Sequence, residues 1–134
     1  MARTVLVVDD VEFVRKTLRE ILGEAGYTVV GEAATGHQAV TEYFRLRPAL
    51  VTMDIVMPEM SGIEAARKIL SKDAEARIIA VSAMGQENLM MEAINVGVRD
   101  YILKPFSAAD IIKAVERAFS DDLIPTPRVA NTAR

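Results

Sequence analysis

Apolar runs and apolar stripes alternate along the chain, and the alternation predicts five strands and five helices. Thr4 to Val8 is a short β-branched run that stops at Asp9-Asp10, as a strand would. Val14, Leu18, Ile21, Leu22 and Ala25 then recur at helical spacing with charges between them, and Gly26 suits the residue just past a helix end. Tyr27 to Val30 reads as the second strand. Thr35 and Gln38 have the spacing of a capping box, opening a helix with Val40, Tyr43, Phe44 and Leu46 inward that Pro48 stops. Leu50 to Met53 is almost purely apolar, which suits a strand covered on both faces. It runs into Asp54 and has ended by Pro58, which cannot join a ladder. Ser61 and Glu64 open a third helix carrying Ile63, Ala66, Ile69 and Leu70. Ile78 to Val81 is a fourth strand ending at Ser82. A helix from Gln86 to Val96, closed by Gly97, follows it. Tyr101 to Leu103 is a fifth strand ending at Lys104-Pro105. Ser107 caps the last helix with Asp110 at its third position, and Ile111, Val115, Ala118 and Phe119 face inward.

This order predicts an α/β fold, a five-stranded parallel sheet wound on both faces by five helices. The common strand order for such a sheet is 2-1-3-4-5, with its crevice between strands 1 and 3 at their carboxyl ends. One domain is expected over residues 1–120, with a polar, proline-containing flexible tail over 121–134.

The crevice is where the chemistry gathers. Asp9 and Asp10 end the first strand and Asp54 the third, and neighbouring parallel strands lie about 4.8 Å apart. Alone, Asp54 could as well cap a turn, and Asp9 and Asp10 the first helix. Together, three carboxylates repel, and a divalent cation resolves the repulsion. An all-oxygen set with open positions suits Mg²⁺, which binds through one or two carboxylates and a phosphate. Lys104 adds a mobile positive charge at the end of the fifth strand, and Ser82 a hydroxyl at the end of the fourth. Acids, lysine and hydroxyl on one rim make a phosphoryl site, with Asp54 as the nucleophile that becomes an acyl phosphate.

Composition narrows the class. Hydrophobic residues at 51% with 26% charged describe a globular chain, and a net charge of −3 argues against nucleic acid as the main partner. The absence of cysteine excludes disulfides, thiol nucleophiles and cysteine metal sites. Val5 to Val8 is too short for a signal-peptide core or a membrane span. A cytoplasmic location and a monomer are expected.

Four motifs carry a resemblance: Val7-Val8-Asp9-Asp10, Met53-Asp54-Ile55-Val56-Met57-Pro58 with Gly62, Val81-Ser82-Ala83, and Tyr101-Ile102-Leu103-Lys104-Pro105-Phe106. In this order, spanning Thr4 to Phe119, they resemble the receiver domains of two-component response regulators, which are flavodoxin-like. The chain looks most like single-domain chemotaxis regulators of the CheY type. The resemblance implies that Asp54 accepts a phosphoryl group from a histidine kinase. It implies that Asp9 or Asp10 and the backbone carbonyl of Val56 hold Mg²⁺ together with Asp54, that Ser82 and Lys104 touch the phosphoryl oxygens, and that Lys104-Pro105 is cis. It makes Ser82 and Tyr101 a switch pair. Tyr101 would turn inward when Ser82 moves, reshaping a face of helix 4, strand 5 and helix 5 with Met90, Tyr101 and Arg117 as contact groups. The implied partners are a flagellar motor switch protein or another output protein, and a phosphatase. Beyond accepting and slowly losing a phosphoryl group, no enzymatic activity is expected. Val56 and Met84, two residues past Asp54 and Ser82, are apolar and cannot orient an attacking water.

Three other readings compete. A haloacid-dehalogenase-type phosphatase needs an Asp-x-Asp pair after the first strand, whereas this chain has Asp9-Asp10-Val11-Glu12. A flavin module needs a phosphate-cradling loop rich in Ser, Thr or Gly there. The receiver half of a transcriptional regulator would have an output domain beyond the tail. His37, the single histidine, reads as a solvated side chain, and Met84, Met90 and Met91 as core fillers.

Overall fold

The computed structural model describes residues 3–120, so the expected tail over 121–134 lies outside the described residues. Five strands alternate with five helices: β1 (Thr4–Val8), α1 (Glu12–Glu24), β2 (Thr28–Ala33), α2 (Gly36–Leu46), β3 (Leu50–Met53), α3 (Gly62–Lys72), β4 (Ile78–Ser82), α4 (Glu87–Val96), β5 (Asp100–Leu103) and α5 (Ala108–Phe119). All neighbouring strands pair in parallel, in the order β2-β1-β3-β4-β5. This is the expected flavodoxin-like architecture.

Strand alternation sorts the core into two layers. Leu6, Val8, Val51, Met53, Ile78 and Ala80 pack with Ala39 and Tyr43 of α2, Ile63, Ala66 and Ile69 of α3 and Ala93 of α4. Val5, Val7, Leu50, Ile79, Val81 and Ile102 pack with Leu18 and Leu22 of α1 and Ile111, Ala114, Val115 and Ala118 of α5. Burial on both faces explains why the strands read as near-continuous apolar runs.

The helix starts follow their caps. Thr35 Oγ1 accepts from Gln38 N–H at 3.1 Å, and Ser61 Oγ from Glu64 N–H at 3.1 Å. The Gln38 side chain takes the N–H of Ala34 rather than that of the cap itself. Ser107 and Asp110 close the box in both directions.

Some boundaries differ from the expected ones. β2 runs three residues beyond Val30, through Gly31 and Glu32 to Ala33. As an edge strand with a register shift opposite Val5 and Leu6, it needs no continuous apolar run. Helix α1 ends at Glu24, so Ala25 is an exposed C-cap and not an inward residue, with Gly26 following at φ +96°. β5 begins at Asp100, an acid buried because Arg117 of α5 reaches it through Nε at 3.2 Å and Nη2 at 2.8 Å. Arg117 is therefore tied into the fold by this pair, with about a third of its side chain exposed.

One core position is imperfect. Thr52 is buried on β3, on the side facing α1 and α5, and its hydroxyl has no hydrogen-bond partner. Thr52→Val, which exchanges that hydroxyl for a methyl of similar size, is expected to stabilise the fold by about 1 kcal/mol. Urea denaturation checks this, and a loss of stability would mean that the hydroxyl is satisfied.

Candidate functional site

The carboxyl edge of the sheet brings the acids together because the strands end in register. Val8 lies opposite both Ala33 and Met53. The ladder continues one step further, with Asp54 N–H donating to Val8 O at 2.9 Å and Asp9 N–H to Ala33 O at 3.0 Å. Asp9, Asp10 and Asp54 thus present carboxylate oxygens within 4.8 Å of one another. Asp9 and Asp54 are buried, and Asp10 is exposed.

Lys104 enters from the end of β5. Its N–H bonds Ser82 O at 2.8 Å, fixing its backbone beside β4, and the Lys104-Pro105 peptide is cis, as the resemblance implied. Its ammonium donates to Asp9 Oδ2 at 2.7 Å and stands 3.6 Å from Asp54 Oδ2. The lysine therefore bridges the two buried acids. Asp9 Oδ1 accepts from Val11 N–H at 2.9 Å, and Asp54 Oδ1 takes a longer contact of 3.4 Å from Val56 N–H.

The loop after Asp54 folds back tightly. Gly62 N–H donates to Ile55 O at 2.7 Å, and a Cβ at Gly62 would collide with the backbone carbonyl of Asp54. A glycine is required here by close approach. Val56 projects from the loop, 54% exposed, and Val11 and Phe13 are exposed on the far side of Asp10 in the chain.

Ser82, Met84 and Tyr101 form a short relay. Met84 N–H donates to Ser82 Oγ at 3.1 Å, and Tyr101 Oη donates to Met84 O at 2.6 Å. Tyr101 is fully buried, already turned inward, because the Met84 carbonyl satisfies its hydroxyl. It is not a surface contact group in this conformation. Burial pushes its phenol up, and the nearby Ser82 hydroxyl partly offsets this. Met90 is half-buried and packs against the core, as expected of a filler. Met84 is half-buried in the loop after β4, and Met91 is 48% exposed on α4, on the wall of a groove shared with Arg67 and Leu70 of α3. His37 is exposed.

A residue that the pattern did not single out completes the site. Arg15 of α1 donates through Nη1 to the backbone carbonyl of Asp9 at 2.7 Å and through Nε to Glu32 at 2.9 Å. Its one legible signal was opposite charge on α1 and the edge strand, which an ordinary solvated pair also shows.

Burial pushes the Asp54 carboxyl up to about 6 from 3.8. The Asp9 carboxylate adds to the rise, Lys104 and the Val56 N–H oppose it, and Asp10 adds a little. Below 3.8 the group is protonated in folded and unfolded chains alike and costs nothing. Between 3.8 and about 6 the unfolded chain ionises first, so the metal-free protein should lose stability as pH rises through that window and stay at the lower level above it. Asp54→Asn should remove the penalty, adding about 1–3 kcal/mol at neutral pH and nothing in acid below the window. Denaturation of both proteins across pH checks this, and a gain that does not depend on pH would refute the electrostatic cause.

Comparison with known proteins agrees with this geometry. Residues 5–116 match the family model of the response regulator receiver domain. The chemotaxis protein CheY of Thermotoga maritima is 47% identical over 117 residues, 87% of this chain and 98% of that protein. The protein CcdB of Bacillus subtilis is 51% identical over 113 residues, 84% of this chain and 94% of that protein. A crystal structure of the CheX–CheY–BeF3–Mg²⁺ complex from Borrelia burgdorferi superposes with a TM-score of 0.84 at 36% identity, over 87% of this chain and 88% of that one. With its ordered sheet, its acidic crevice and a family match over most of its length, the chain belongs to the response regulator receiver domains.

Proposed function

We propose that this receiver domain is a phosphorylation-dependent signalling switch in which Asp54 is the phosphoacceptor. The observation that carries the reading is the convergence of Asp9, Asp10, Asp54 and Lys104 at one edge, with two buried carboxylates held by a single ammonium. The donor set fits Mg²⁺: oxygen atoms only, from three carboxylates on adjacent strand ends. Asp9, Asp10 and Asp54 would hold the ion with the backbone carbonyl of Val56. When bound, it supplies the charge that offsets the carboxylates and the incoming phosphoryl group.

The chain's own groups then have distinct tasks. An Asp54 carboxylate oxygen attacks phosphorus of a phosphohistidine, a P–O bond forms, the P–N bond breaks, and the imidazole leaves with a proton from solvent. The Lys104 ammonium, now shared between Asp9 and Asp54, can follow the charge onto the phosphoryl oxygens. The Ser82 hydroxyl can donate to the same oxygens. Val56 and Met84 offer an attacking water no polar group, so self-dephosphorylation is slow.

Incubation with Mg²⁺ and acetyl phosphate, followed by intact-mass measurement, is expected to add one phosphoryl group to the wild type and none to Asp54→Asn. Decay after removal of the donor should quicken in Met84→Glu. Equal labelling of the Asn variant would move the acceptor elsewhere.

The output reading is a change of affinity for a partner. When Ser82 turns to the phosphoryl oxygens, the Ser82–Met84–Tyr101 relay shifts and biases Tyr101 between its inward position and an outward one. The affected face is α4, β5 and α5. A histidine kinase is the phosphodonor. A flagellar motor switch protein is the favoured output partner, with a chemotaxis phosphatase as a further one, since the Thermotoga maritima relative is a chemotaxis protein. Such a protein acts in the cytoplasm, and no described helix is long and apolar enough to cross a membrane.

Titration of a motor-switch peptide against the protein with and without beryllofluoride should show at least about tenfold discrimination, which is about 1.4 kcal/mol. Ser82→Ala and Tyr101→Ala should both reduce it. Undiminished discrimination in both variants would leave the relay without a role.

A further inference from the structure

Arg15 is placed to act on the acidic crevice without entering it. Its side chain is only 16% exposed. Nη1 holds the carbonyl oxygen of Asp9, the first residue past β1, at 2.7 Å, and Nε holds Glu32 Oε1 at 2.9 Å, near the end of β2. Glu32 also receives Arg19 Nη1, one turn further along α1. One guanidinium thus ties α1 to the ends of two strands at the point where the chain leaves the sheet.

The carboxylate of Asp9 depends on that point. Oδ1 accepts the Val11 N–H and Oδ2 accepts Lys104 Nζ, so the side chain is aimed only while its own peptide keeps its orientation. The Asp9 N–H is fixed to Ala33 O on one side, and the Asp9 carbonyl is fixed by Arg15 on the other. A charge-assisted bond to a half-buried carbonyl is a strong restraint, and a guanidinium can make it and the Glu32 bond at once.

We propose that Arg15 is a positioning residue for Asp9, setting the orientation in which that carboxylate can serve as a cation ligand. This rests on the reading of the crevice as a Mg²⁺ site. The bland alternative is that Arg15 merely fastens α1 to β2 through Glu32. Arg19 separates the two, because it shares Glu32 but does not touch Asp9.

The test compares Arg15→Met, Arg15→Lys and Arg19→Met in the full chain by two measurements. The first is hydrogen exchange of the Val11 amide by NMR without metal. The second is Mg²⁺ affinity by titration. Arg15→Met should speed Val11 exchange and weaken Mg²⁺ by about tenfold, the usual effect of losing a partner that orients a ligand. Arg15→Lys, which keeps a donor for the Asp9 carbonyl, should shift both in the same direction by less, and it carries the test should the Met variant not fold. Arg19→Met should change neither by more than about twofold, although it also loses an ion pair to Glu32. Equal effects of the Arg15 and Arg19 variants, or wild-type behaviour in Arg15→Met, would overturn the proposal. Were the wild type itself not to bind Mg²⁺, the functional reading would fall, and Val11 exchange would decide the positioning claim by itself.

Discussion

Two buried carboxylates of like charge, Asp9 and Asp54, face each other across adjacent strand ends, and much of the molecule serves to keep them there. Such a pair is unfavourable in a medium that screens poorly. The Asp54 carboxyl is pushed up first by its burial and then by the Asp9 charge. Lys104 offsets part of it by bridging both acids, but it sits closer to Asp9 than to Asp54, at 2.7 against 3.6 Å. Asp54 is thus the less well compensated of the two acids, which under the proposed function is a physical reason to favour it over Asp9 as the reactive group.

What holds the acids in place is ordinary packing arranged in an unusual direction. A parallel sheet points all its strand ends the same way, so the residues that follow β1, β3, β4 and β5 arrive at one edge. Two apolar layers bury the strands on both faces and leave the register no freedom. A one-residue slip of β3 would exchange Thr52 and Met53 between layers and withdraw Asp54 from Asp9. Gly62 then brings the start of α3 against the Asp54 carbonyl, closing the loop that carries Val56. Core and site are therefore not separable: the same ladder that stabilises the sheet aims the carboxylates.

The legible parts of the chain were those governed by local pattern. Strand runs, cap residues and helix-closing glycines identified every element, and acids at strand ends converged once the strand order was assumed. Two of the misread boundaries, the end of β2 and the start of β5, came from charges whose partners are distant in sequence. Asp100 looked like a loop residue because its burial depends on Arg117, seventeen positions on. Glu32 hid the end of β2 because Arg15 and Arg19 neutralise it from another element. Arg15 itself looked like solvated helix surface, since nothing in α1 announces a bond to the Asp9 carbonyl. Side-chain direction was illegible for a different reason. Tyr101 is held inward by a bond to the Met84 carbonyl, which periodicity does not reveal, whereas Met91 lies off the inward stripe of Leu89, Met90, Ala93 and Val96.

The uneven anchoring of the helices bears on how a signal could leave the crevice. Helix α5 places four residues fully in the core and α3 five, whereas α4 buries Ala93 fully and packs Leu89, Met90 and Val96 against the core only in part. Displacing a helix costs in proportion to the apolar surface it uncovers, about 25 cal/mol per Å². Of the five helices α4 has the fewest fully buried residues, and it begins just beyond Met84, which bonds both Ser82 and Tyr101. A pull on Ser82 would therefore act on the least anchored helix through a short run of backbone. The same pull on α5 would have to work against its buried face and the Asp100–Arg117 pair. Under the proposed function, the crevice and the helix with the fewest fully buried residues meet at Met84, through whose backbone a change at Ser82 reaches both α4 and Tyr101.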